Sequence, residues 1–233
     1  MLIVSTDVPP FSGRDLPAHG ATIEIIHAAF LHAGYTPRFE FYPWQRSVEM
    51  AKKGLAHGIG NLWYTPERAK WLVYSNSLYT PNVVGFFKSN KVKIKFHKYK
   101  DLAQYTIGYI HGFAYPDRFF EQTKTFTRIL YYDPKELIRA LTLNRIDLAL
   151  TLKQNGEYIL ENHFPDKSSL YDFMEPPIDK REEFLGISKK TDDYKTLLME
   201  FNRGLSAILH DGTIKEILFR HNVDMPSGIP GNF

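Results

Sequence analysis

Short apolar runs of strand length alternate with stretches of helical periodicity along this 233-residue chain, and the alternation is read twice. That order favours an α/β architecture, because apolar strands flanked by amphipathic helices bury their faces by layering. In the first block Leu2 to Thr6 reads as a strand and Pro9-Pro10-Phe11 with Ser12-Gly13 as a turn-rich loop. Ile23, Ile26, Ala29 and Phe30 then fall on one face of a helix that Gly34 ends. Arg38 to Tyr42 alternates like a strand, Trp44 to Lys53 returns to helical spacing, and Gly58 to Leu62 is a third strand. A β-α-β-α-β order is half of a doubly wound sheet, where ligands lie beyond the carboxyl ends of the strands, at Asp7, Asn61 and Trp63.

The second block runs from Tyr105 to Ile110 as a strand, a turn at Gly112, and a helix starting at Pro116-Asp117. Arg128 to Tyr132 is another strand, Asp133-Pro134 caps a helix through Asn144, and Ile146 to Thr151 is a third strand. A final long helix carries Leu197, Leu198, Phe201, Leu205, Ile208 and Leu209 on one stripe. Asp211-Gly212 breaks it before Ile214 to Phe219 resumes. Between the blocks, Lys91, Lys93, Lys95, Lys98 and Lys100 interleave with Val92, Ile94, Phe96 and Tyr99. This spacing predicts an edge strand with a solvated lysine face that discourages edge pairing.

Thr65-Pro66-Glu67-Arg68 is the feature richest in chemistry. Thr65 reads as a helix N-cap and Pro66 as the first helical residue, where a missing N–H costs nothing. Free first-turn amides and the Arg68 fork would then converge on a point suited to a small carboxylate. Composition excludes several alternatives. A formal charge of +3 is too small to imply a nucleic-acid partner, and the absence of cysteine removes disulfides, thiolate nucleophiles and zinc–cysteine clusters. The nine histidines lack ligand spacing, so no metal or other cofactor is expected, and no nucleophile elbow or Walker loop is present. No apolar run is long enough to span a bilayer.

With these landmarks in order, Asp7 with Pro10-Phe11, Gly20 with Ile23-Glu24, Tyr42-Pro43-Trp44, Thr65 to Arg68, Tyr74-Ser75 with Leu78-Tyr79, Asp101-Leu102 with Gly108 and Gly112, and Asp211-Gly212-Thr213, the chain resembles the extracellular solute-binding proteins of family 3. These are amino-acid receptors of ABC transporters. The resemblance implies a periplasmic binding protein-like II fold, two Rossmann-like α/β lobes joined by a two-strand hinge at Val83 to Lys88 and Glu183 to Ser188. Lobe one would hold residues 1–86 and 186–233, and lobe two residues 87–185. It further implies a monomer in the periplasm, its signal peptide removed, closing on a small carboxylate-bearing ligand and delivering it to a membrane ABC permease. The ending after Pro226, Gly228, Pro230 and Gly231 reads as a free tail.

Residue roles follow from the same resemblance. Arg68 matches the arginine that clamps a ligand α-carboxylate, and Trp44 the aromatic residue that stacks on the ligand. Asp7 and Phe11 fall on the first cleft loop, and Gly112 on the turn offering amides from lobe two. Asn61, Trp63 and Ala114 stand where these receptors favour small hydroxyl residues, and Leu152 where they carry an acid for the ligand ammonium. Arg46, Phe113 and Thr151 complete the expected lining, with Tyr64 and Tyr115 as further aromatic candidates for a planar or basic ligand. An unpaired ammonium is costly to desolvate, so an ordinary amino acid needs Asp7, Glu157 or Asp172 in that duty. Two alternatives remain: a cyclohexadienyl dehydratase-like enzyme, with Glu157, Asp172 and Glu175 as candidate acids, and the ligand-sensing domain of a signalling protein.

Overall fold

In the computed structural model, which describes residues 1–224, the first block forms β1 (Leu2–Ser5), α1 (Ala21–His32), β2 (Arg38–Phe41), α2 (Trp44–Lys53), β3 (Gly58–Leu62), α3 (Pro66–Ala69) and β4 (Leu72–Tyr74). The proline- and glycine-rich tail from Pro226 lies outside the described residues. β5 (Pro81–Ser89) leads into the second block, β6 (Ile107–Ile110), α4 (Asp117–Gln122), β7 (Arg128–Tyr131), α5 (Pro134–Thr142), β8 (Leu148–Leu152) and α6 (Lys153–His163). β9 (Tyr171–Phe173), β10 (Asp179–Glu182) and β11 (Phe184–Ser188) precede the closing helices α7 (Tyr194–His210) and α8 (Thr213–Arg220). The chain divides into two units, Met1–Pro81 with everything from Glu182 onward, and Asn82–Arg181.

Unit 1 is a five-stranded sheet ordered β2-β1-β3-β11-β4. β1 pairs in parallel with β2 and β3, Ile3 opposite Phe39 and Val4 opposite Ile59, while β11 is antiparallel to β3 and β4. Ile3, Val4 and Ile59 are fully buried, so both sheet faces must be covered, and α1 and α7 cover one of them together. Gly204 makes that helix pair close: a Cβ there would sit 2.0 Å from the Ala29 carbonyl oxygen. Glu24 on α1 fastens α8, its carboxylate lying 3.0 Å from Arg220 Nη1 and 2.6 Å from His221 Nε2. At the start of β11, Glu183 is fully buried and accepts from Thr22 Oγ1 and Thr80 Oγ1, each at 2.6 Å.

Unit 2 has the ladder β10-β5-β8-β6-β7, with β9 added on β5. β6 is parallel to β7 and β8, and β5 is antiparallel to β8 and β9. Two of its parallel strands, β6 and β8, start later than the apolar pattern suggests, while β7 starts at Arg128 as read from the sequence. Thr106 N donates to Asp147 Oδ2 at 2.8 Å, and Asp147 N and Leu148 N both donate to Thr106 O. That clamp takes the groups a longer ladder would need. α5 likewise stops at Thr142, because Asn144 turns left-handed at φ 54°.

The expected lysine strand does not form. β5 ends at Ser89, Val92 N turns back to Ser89 O, and Val92 remains 39 % exposed. Only Phe96 and Tyr99 of the alternating apolar residues are buried, and Phe96 meets Phe86 edge-on at 5.7 Å. Asp101 closes the segment locally by accepting from His97 N and Lys98 N, both at 3.0 Å, bonds that hold its carboxyl below the usual range. A residue that satisfies its neighbours' amides in this way removes the donors a strand would use.

Candidate functional site

On unit 1 the candidate residues follow the carboxyl ends of β1 and β3. The loop after β1 is drawn tight by a Val8–Ser12 bridge, with Phe11 N donating to Val8 O at 3.0 Å. Asn61 adopts φ 59° and its Nδ2 donates to Ser12 Oγ at 2.5 Å, while that hydroxyl donates to Thr6 O at 2.6 Å. Asn tolerates the left-handed region better than most residues. Phe11 lies in this loop, and its side chain is buried in the core at 1 % exposure.

Asp7 is partly exposed and already engaged. Arg14 binds both carboxylate oxygens, its backbone N at 2.9 Å from Oδ1, its Nε at 3.0 Å and its Nη2 at 2.9 Å from Oδ2. Nη2 of the same guanidinium lies 3.3 Å from Phe41 O at the end of β2. Nothing in the spacing singles out Arg14; the signal available was an arginine in the same turn-rich loop as the aspartate.

Arg68 is positioned from three directions. Its guanidinium carbon lies 4.8 Å from the centroid of the Trp44 ring, and Nη1 donates to Trp63 O at 3.0 Å. Its backbone N donates to Thr65 Oγ1 at 3.2 Å, the cap read from the sequence. Tyr74 braces the same carbonyl: Thr65 N donates to Tyr74 Oη at 3.2 Å, and that hydroxyl lies 3.5 Å from Trp63 O. Burial lowers the Arg68 pKa and raises that of Tyr74. An arginine remains charged through such a shift, so the result is a desolvated cation held over an aromatic face.

The helix start itself contributes less than expected. α3 is a single turn, Pro66 has no N–H, Thr65 N is given to Tyr74 and Arg68 N to Thr65. The expected set of converging amides is therefore not available, and the guanidinium is the group through which this segment could meet an anion. Trp63 is 7 % exposed and its carbonyl accepts from Arg68, whereas Trp44 is half-buried and Tyr64 is 51 % exposed. Arg46 is exposed, its guanidinium carbon 4.5 Å over the Tyr42 ring.

On unit 2, His111 N donates to Tyr131 O at 2.8 Å, and the chain then turns at Gly112 with φ 75°. That conformation suits glycine. Phe113 and Ala114 are half-buried, Phe113 packing against the unit's core. Tyr115 is core rather than a stacking surface, at 4 % exposure. Its hydroxyl donates to Leu150 O at 3.0 Å and accepts from Ile110 N at 3.2 Å, and burial pushes its pKa far up. Thr151 is fully buried with Oγ1 3.4 Å from Asn155 Oδ1, and Leu152 is 3 % exposed.

The acids weighed for unit 2 sit elsewhere in it. Glu157, Asp172 and Glu175 line a cavity of about 700 Å³ with Lys153, Phe87 and Phe173, and none of the residues from Gly112 to Tyr115 borders it. Among the described residues no group of three or more His, Asp or Glu side chains could hold a metal ion, and no helix is long and apolar enough to cross a membrane.

The sequence matches the model of the bacterial extracellular solute-binding proteins, family 3, over residues 1–222. The chain belongs to this family. Among solved structures, a histidine kinase sensor domain with similarity to periplasmic binding proteins shares its fold at TM-score 0.84 and 17 % identity, covering 97 % of each chain. An amino acid ABC transporter substrate-binding protein, AbpA from Streptococcus pneumoniae, bound to L-arginine, aligns at 0.78 and 14 % identity over 96 % of this chain and 95 % of that one. The ancestral amino acid-binding protein AncCDT-1, a precursor of cyclohexadienyl dehydratase, aligns at 0.76 and 17 % identity over 94 % and 93 %. No curated protein sequence matches the chain. Family 3 membership and the periplasmic binding protein type II fold thus agree with the order of motifs in the sequence.

Proposed function

We propose that this family 3 solute-binding protein is a monomeric periplasmic receptor that binds a small carboxylate-bearing ligand and delivers it to a membrane ABC permease. The observation that carries the reading is Arg68: a desolvated guanidinium fixed by the Trp63 carbonyl and stacked at 4.8 Å on Trp44. A guanidinium held in this way meets a carboxylate in a fixed orientation, at little further cost in side-chain entropy. Trp44 adds an apolar face against which the rest of a planar ligand can lie. The protein acts as a binder, with no cofactor in this role.

The test is calorimetric titration of the purified protein with amino acids, 2-oxo acids, aromatic acids and dicarboxylic acids, each incubated ligand being recovered and analysed for conversion. Binding without conversion of one carboxylate class is expected. Arg68→Ala should weaken it at least about tenfold, since a charge-assisted pair is lost, while the melting temperature shifts by a few degrees at most. Binding unchanged in Arg68→Ala would remove the arginine from the site. Recovery of a dehydrated product would replace the receptor by an enzyme of the same fold.

A further inference from the structure

The Asp7–Arg14 pair bears on which carboxylates the receptor accepts, an inference that rests on the Arg68 reading above. An α-amino acid brings an ammonium as well as a carboxylate, and a desolvated ammonium needs an acid to face it. Asp7, in the loop after β1, is the unit 1 acid that the resemblance puts forward for that duty. Both of its oxygens are taken by Arg14, which is itself tied to Phe41 O. The other acids on neighbouring elements are committed as well: Glu40 to Arg38 and Tyr42, Glu49 to Lys53, and Glu67 to Lys70. Asp15, next in the loop, is exposed, where water screens it. On unit 2, position 152 is a buried leucine, and Glu157 and Asp172 line a cavity of their own.

We infer that Arg14 is a specificity-determining residue: by occupying Asp7 it makes the site disfavour an α-ammonium and select carboxylates without one, such as 2-oxo acids and arylalkanoates. An incoming ammonium would have to displace the guanidinium, bound through Nε and Nη2 at Oδ2, while Oδ1 keeps the Arg14 backbone N–H, and it would then stand beside the displaced cation. The pair is partly exposed, so the discrimination is moderate, about tenfold rather than many thousandfold.

Matched ligands isolate the ammonium. Calorimetry of the wild-type chain with phenylpyruvate against phenylalanine, and 2-oxoglutarate against glutamate, should show the oxo acid of at least one pair binding about tenfold more tightly. In Arg14→Ala, which frees Asp7 Oδ2 and leaves the backbone N–H on Oδ1, the preference should shrink or reverse through stronger amino-acid binding. Arg14→Lys, which keeps one cation without the fork, should lie between the two. Amino acids binding the wild type as tightly as their oxo acids would overturn the inference and leave the carboxylate reading standing. A preference unaltered in both variants would overturn the role of Arg14. Failure of every ligand in both pairs, with wild type and variants alike, would sink the Arg68 reading and this inference together.

Discussion

The side chains that matter most here are polar groups whose partners come from other elements, and Tyr115 shows what such a partnership is worth. Its hydroxyl satisfies the last amide of β6 and a carbonyl of β8 at once, inside a cluster of Tyr109, Phe113, Phe119 and Phe120. Tyr115→Phe keeps the ring and strands the Ile110 N–H in an apolar surround. The expected loss is about 1–3 kcal/mol by chemical denaturation, with carboxylate affinity unchanged. A neutral substitution would mean that water reaches the amide. In sequence this tyrosine looks like any aromatic residue near a strand end, as do Trp44 and Trp63. Arg68 and its Thr65 cap were legible because a cap is a local bond; the roles of Tyr74 and Arg14 were not, because neither depends on spacing along the chain.

At the scale of elements, the α1–α7 pair is set by one small residue. Alanine normally gains about 1 kcal/mol over glycine within a helix. At Gly204, a Cβ would lie 2.0 Å from the Ala29 carbonyl oxygen, a backbone atom that cannot swing aside. Gly204→Ala should therefore destabilise the protein, by about 1–3 kcal/mol net, and lower the melting temperature measured by circular dichroism; a rise would show that the helices separate freely. The stripe along α7 announced a buried helix without naming its partner. The lysine tract shows the converse error, since a period of two describes a strand only when a neighbouring ladder accepts it. Here the local bonds of Asp101 and the burial of Phe96 and Tyr99 prevail.

For the molecule as a whole, stability has a readable dependence on pH through His57, which links segments far apart in sequence. Leu2 N donates to its Nδ1 at 3.1 Å, and its carbonyl accepts from Ser188 N and Thr191 Oγ1. Burial lowers its pKa from the ordinary 6.5, so the folded state favours the neutral ring that accepts the Leu2 amide. The unfolded chain takes up the proton first as pH falls. The contribution is thus present above about pH 6.5 and is lost on acidification through the lowered folded value. Melting temperature should fall between pH 7 and 5, and less steeply in His57→Gln. Comparison with the variant separates His57 from His163, whose pKa burial also lowers; parallel curves would show that His57 is not coupled to folding. By itself the sequence determined the repeated strand–helix order and the Thr65–Arg68 cap, because these rest on periodicity and near-neighbour bonds, while the order of its motifs carried the resemblance to the family. Only tertiary structure decided that Phe11 and Tyr115 are core, that the lysine tract is no strand and that Asp7 is held by Arg14, because burial and ion pairing depend on which distant segments the fold brings within a few ångströms.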